Sequence, residues 1–86
     1  MWQKGNSMGF AKSEKEIAER AARFLKAELK RANVTYEELA TAMKKHGVEE
    51  TKDSVAAKLK RGTFPATFFI AAMVAIGAEV VKLEDI

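Results

Sequence analysis

The chain has 86 residues, which leaves room for one compact domain, because a chain of this size buries only about 60% of its unfolded surface. Hydrophobic residues make up 48% and charged residues 31% of the sequence, which excludes disorder of the highly charged, weakly hydrophobic kind. Cysteine is absent, which excludes disulfides and thiolate metal sites. The net charge of +3 permits a polyanionic partner such as nucleic acid without requiring one.

The N-terminal segment MWQKGNSMGF lacks the apolar run of about 7 to 15 residues that an export signal needs. The longest uncharged stretch, residues 62–78, contains Pro65 and is shorter than the roughly 20 apolar residues that span a bilayer. We therefore expect a cytoplasmic protein without a membrane partner. Residues 1–12 have no apolar period and predict a flexible arm or a segment left from expression, so the folded domain is expected over residues 13–86.

The first helix is predicted over residues 13–33. Ser13, followed three residues later by Glu16, resembles a capping box at its start. Apolar side chains then recur at helical spacing, at Ile17, Ala21, Phe24, Leu25 and Leu29. This pattern is typical of an amphipathic helix that buries one side.

The second helix is predicted over residues 36–46 and has the clearest start signal in the chain. Thr35 is expected to cap it, and Glu38 stands at the third helical position, where it can complete a capping box. Gly47 is the expected left-handed residue after the last turn.

A third helix is predicted over residues 52–61, with Thr51 as its cap and Gly62 at its end. Pro65 fits the first turn of a fourth helix, where a missing N–H group costs nothing. The segment FFIAAMVAIG is apolar on nearly every side, so this helix should be the most buried element. Residues 79–86 are too few to distinguish a strand, an extended tail and a helical turn.

Few side chains in this sequence could carry out catalysis. The single histidine, His46, is expected at the end of the second helix, where the helix dipole favours a cation. Glu49, Glu50 and Asp53 are the nearest candidate metal ligands, but they lack the spacing of a calcium loop. The glycines are isolated and form no phosphate loop. We therefore expect no enzyme activity, no metal or other cofactor and no small-molecule substrate.

From Phe24 onwards the chain reads FLKAELKRANVTYEELATAM, a turn, SVAAKLKRG and an apolar helix that ends in AIG. This order resembles the lambda-repressor and Cro-like helix-turn-helix superfamily over residues 13–86. The combination of TYEELA, GVEET, KLKRG and FF followed by AIG is also similar to a small bacterial family of helix-turn-helix-like domains whose function is not established. The resemblance implies an all-α fold of four or five helices, with a possible short strand or extended segment at the C-terminus.

The superfamily resemblance implies that the third helix enters the major groove of DNA. The residues that it would bring to DNA are Thr51, Lys52, Ser54, Ala57, Lys58 and Arg61. We therefore expect a DNA-binding, transcription-regulator-like module. It should bind double-stranded DNA as a homodimer, because one short module makes few contacts.

Two departures from the superfamily pattern favour a different class of function. The stretch over residues 40–47 is longer than usual, which is expected to lengthen the second helix by about a turn. Glu49, Glu50 and Asp53 would also place negative charge towards the phosphates. The alternative is a protein-interaction or assembly module without specific DNA binding, which uses the apolar fourth helix and the C-terminal tail.

Overall fold

The computed structural model describes residues 11–86, so residues 1–10 of the predicted arm lie outside the described part of the chain. Residues 11–86 contain no strand and form four α-helices and one 3₁₀-helix: α1 (Glu14–Ala32), α2 (Tyr36–Lys44), α3 (Lys52–Arg61), α4 (Ala66–Ala75) and the 3₁₀-helix (Leu83–Asp85). The predicted all-α class is confirmed, and the C-terminal segment contains a helical turn. None of the helices in this part of the chain is long and apolar enough to cross a membrane.

Side-chain caps start the first two helices at the predicted positions. The Ser13 hydroxyl accepts the N–H of Glu16 at 3.1 Å. At α2, the Thr35 hydroxyl accepts the N–H of Glu38 at 3.1 Å, and the Glu38 carboxylate accepts the N–H of Thr35 at 2.9 Å. These bonds satisfy main-chain donors that have no partner inside the helix, which is why short side chains with an acceptor oxygen start a helix.

The end of α2 differs from its prediction. The helix ends at Lys44, before the predicted residue 46, because the N–H groups of residues 45–47 bond to carbonyls three residues back instead of four. Residues 45–47 therefore form a turn, and Gly47 has a φ of 80°. Pro65 was predicted in the first turn of α4, but it is the N-cap and the helix begins at Ala66.

One hydrophobic core receives side chains from all four helices. Its largest fully buried members are Leu25, Leu29, Leu39, Met43, Val55, Leu59 and Phe68. The predicted stripe of α1 also included Ile17, but this side chain is 45% exposed. With 19 residues, α1 is about twice as long as α2, α3 or α4, and its buried residues begin only at Ala22.

The fourth helix buries one side and exposes the other. Phe68, Ala71, Ala72 and Met73 are buried, more side chains than any other described helix buries. On the opposite side, Ile70 is 60% exposed and Val74 is 49% exposed. The helix therefore supplies the largest share of the core, as its composition predicts, yet keeps an apolar surface that nothing in residues 11–86 covers.

Candidate nucleic-acid interface

Two buried side chains set the orientation of α3. Val55 and Leu59 are at most 1% exposed and belong to the core, where α3 packs against α2 and α1. Because an α-helix has 3.6 residues per turn, the side of α3 opposite these two residues is fixed as well. The exposed residues that lie around this outer side are Asp53, Ala57, Lys60 and Arg61.

Four of the six residues predicted to contact DNA are exposed: Thr51, Lys52, Ala57 and Arg61. The other two, Ser54 and Lys58, are half-buried. Lys60 was not predicted, although it is exposed beside Ala57 on the outer side of α3. Lys60 lies three residues after Ala57, on the side of the helix away from Val55 and Leu59. This spacing is the sequence signal that could have identified Lys60 as exposed.

Lys58 was predicted to be exposed on the outer side of α3, and that prediction is wrong. Its ammonium nitrogen lies 3.0 Å from Oε2 and 3.1 Å from Oε1 of Glu50. The Lys58 side chain is 24% exposed and the Glu50 side chain only 7% exposed. The same nitrogen lies 5.7 Å from the centre of the Phe68 ring. The Lys58 ammonium group therefore forms an ion pair with the Glu50 carboxylate and a cation–π contact with the Phe68 ring, and both contacts keep it at the surface of its own domain.

The Ser54 hydroxyl is also used within the domain. It donates to Oε1 of Glu50 at 2.6 Å and accepts the N–H of Thr51 at 2.7 Å, while the N–H of Ser54 donates to the Thr51 hydroxyl at 3.1 Å. These bonds form a capping box in which serine takes the place of the usual Glu or Gln. A hydroxyl carries one proton, so Ser54 has no second proton to donate to a base or phosphate.

The Glu50 carboxylate therefore contacts two residues of α3, Ser54 in its first turn and Lys58 near its middle. From sequence, this carboxylate was interpreted as a charge that would repel phosphate. In the structure its charge is compensated by Lys58 and its oxygens accept hydrogen bonds from Lys58 and Ser54. We call Glu50, Ser54 and Lys58 the α3 network.

Arg61 keeps part of its hydrogen-bonding capacity. Its Nε donates to the Thr63 hydroxyl at 3.1 Å, and its Nη2 donates to the Thr63 main-chain oxygen at 3.1 Å. A guanidinium has five N–H donors, so these two bonds orient the group and leave others for a partner. Arg61 is exposed, as predicted.

The exposed charge on α3 and in the turn before it is weakly positive. Three exposed cations, Lys52, Lys60 and Arg61, stand against two exposed carboxylates, Glu49 and Asp53. Further exposed cations, Lys44 and Lys45, lie at the end of α2 and in the following turn, next to the exposed His46. Within residues 11–86, no three His, Cys, Asp or Glu side chains form a group that could hold a metal ion. This surface is suited to contacts with phosphate groups more than to the reading of bases.

A family model described as "Domain of unknown function (DUF6471)" matches residues 17–81. The matched region contains most of α1, all of α2, α3 and α4, and the α3 network, but not the 3₁₀-helix. No curated protein and no solved structure matches the chain.

Proposed function

The chain belongs to the DUF6471 family, and we propose that it binds double-stranded DNA as a non-enzymatic helix-turn-helix module of the lambda-repressor type. In this proposal α2, the turn that follows it and α3 form the helix-turn-helix, and α3 lies in the major groove. The observation that supports it is the outer side of α3, where exposed Ala57 is flanked by exposed Lys60 and Arg61. The module acts as a homodimer, because one α3 helix makes few base contacts.

The side chains on this surface favour phosphate contacts over base recognition. Lys52, Lys60 and Arg61 can each neutralise a phosphate, and Ala57 is small enough to let α3 approach the groove and to contact a thymine methyl group. The helix contains no Asn or Gln, the side chains that read adenine. We therefore propose binding that depends strongly on salt and weakly on DNA sequence, as in a transcription-regulator-like module of low specificity.

The first test is the triple variant Lys52→Ala, Lys60→Ala, Arg61→Ala. The variant should stay folded, because these exposed side chains contribute little to the core. It should bind duplex more weakly, and the slope of log affinity against log salt should become shallower by about one for each phosphate that the variant no longer neutralises. Fluorescence anisotropy of a labelled random-sequence duplex over a salt series measures both quantities, and circular dichroism checks the fold.

A charge-matched control is available on α1. The variant Lys15→Ala, Lys26→Ala, Lys30→Ala also removes three exposed cations, but from a different helix. If the two triple variants reduce affinity and slope equally, the attraction comes from net charge and the α3 interface is wrong. Wild-type protein that binds no duplex at low salt contradicts DNA binding altogether, because the phosphate contribution is largest there.

A second candidate function is assembly through apolar surface, and a specific observation favours it. Ile70 and Val74 lie one turn apart on α4 and are 60% and 49% exposed, while Val80 and Leu83 in the C-terminal segment are 74% and 69% exposed. Ile70 and Val74 form an exposed apolar pair on one side of α4, and contiguous apolar surface on a small domain is typical of sites that bind other proteins. In this alternative the helix-turn-helix scaffold serves protein association and α3 binds no specific DNA.

The effect of α4 substitutions on oligomeric state tests assembly through this surface. The variant Ile70→Ser, Val74→Ser should convert an assembled wild-type protein to monomers without unfolding it, since neither side chain is buried. Sedimentation equilibrium measures the mass, and Thr67→Ala, at an exposed polar position of the same helix, is the control. A wild-type protein that is monomeric at all concentrations, or a double variant with unchanged mass, contradicts assembly through α4.

A further inference from the structure

A groove of about 540 Å³ lies between α1 and the C-terminal segment. Arginine and aromatic side chains of α1 form one wall, and residues of the segment after Gly77 form the other. The lining residues that matter here are Arg20, Arg23, Phe24, Arg31, Val80 and Ile86. The volume falls within the roughly 300–1,000 Å³ of sites that bind small molecules.

Helical spacing brings the three arginines to one side of α1. Arg23 lies three residues after Arg20, and Arg31 lies eleven residues after Arg20. Both intervals are close to whole turns of an α-helix. Arg20 already binds an oxygen in the groove, since its Nε and Nη2 donate to the main-chain oxygen of Ile86 at 3.0 and 2.6 Å. This contact holds the C-terminal wall against α1.

The other two arginines differ in what they contact. Arg31 forms an ion pair with Glu28 on the next turn of the helix. Arg23 is exposed, and its guanidinium has no hydrogen bond or ion pair with any residue from 11 to 86. Lys82 and Asp85 also line the groove, so its side chains supply four cations and two carboxylates. Because Arg20 and Arg31 have partners, Arg23 and Lys82 stand against the one remaining side-chain carboxylate, that of Asp85.

We propose that this groove binds a small organic anion whose oxyanion group lies on Arg23. A guanidinium donates two parallel hydrogen bonds to a carboxylate or phosphate, so Arg23 suits either group. Phe24 and Val80 supply apolar surface beside it for the rest of the ligand. No residue of α3 lines the groove, so this binding is independent of the DNA-binding proposal.

The test uses the full chain and two probes, phenyl phosphate and benzoate, which share an aromatic ring and differ in the oxyanion. Each is titrated at a fixed ionic strength of about 0.15 M while amide chemical shifts are recorded. Saturable binding in the millimolar range is expected, with the shifts concentrated in α1 and residues 80–86. Arg23→Ala should lower the affinity at least about tenfold, because it removes charge-assisted hydrogen bonds.

Lys26→Ala is the matched control, since Lys26 is an exposed cation on α1 that does not line the groove. Its affinity for both probes should equal that of the wild type. Binding of one probe alone still supports the site and assigns the ligand to phosphate esters or to carboxylates. The proposal is overturned if neither probe saturates, if the shifts lie elsewhere, or if both variants weaken binding equally.

Discussion

Replacing Phe68 with alanine is expected to lower the free energy of unfolding by about 3–5 kcal/mol. The ring is 1% exposed at the centre of the core, and its centroid lies 5.1 Å from that of Phe64. The substitution leaves a cavity and removes the ring that faces the Lys58 ammonium. A loss of this size is a large part of the roughly 5–15 kcal/mol that keeps a small domain folded. Urea denaturation followed by circular dichroism measures it.

Ile70→Ala is the matched control for Phe68, because it truncates an apolar side chain two positions further along the same helix. Ile70 is 60% exposed, so its loss should change stability by less than about 0.5 kcal/mol. Equal effects of the two substitutions would show that α4 does not turn its Phe68 side towards the core.

Glu50→Ala is expected to lower the free energy of unfolding by about 1.5–3 kcal/mol. The substitution leaves the half-buried Lys58 ammonium without its carboxylate and removes the acceptor of the Ser54 hydroxyl. The cost arises mainly from the charge that stays behind without a partner, not from the strength of the ion pair itself. The same denaturation measurement gives the change in stability.

Neighbouring residues supply the controls for this prediction. Glu49→Ala removes an exposed carboxylate one position earlier and should have almost no effect. In a double-mutant cycle, Glu50→Ala combined with Lys58→Ala should cost less than the sum of the two single changes. If Glu50→Ala is as mild as Glu49→Ala, the α3 network does not hold Lys58, and this lysine is available to DNA as the sequence predicts.

The starts of α1, α2 and α3 are predictable from the amino-acid sequence. Ser13, Thr35 and Thr51 cap the helices at the predicted positions, and Gly62 ends α3 with a φ of 84°. Such signals are readable because a cap involves side-chain and main-chain groups only three or four residues apart. The end of α2 was less predictable. After Lys44 the main-chain hydrogen bonds change from a spacing of four residues to a spacing of three, and no side chain marks that change.

Which side chains are available to a partner depends on how the helices pack, and the sequence does not predict it. Lys58 and Glu50 are eight residues apart, and Phe68 comes from another helix, so their contact depends on how α3 packs. Arg20 and Ile86 lie 66 positions apart, and the groove between α1 and the C-terminal segment exists because the chain brings them together. Helix periodicity predicts that a residue lies on one side of a helix, but burial and ion pairing depend on the neighbours that folding supplies.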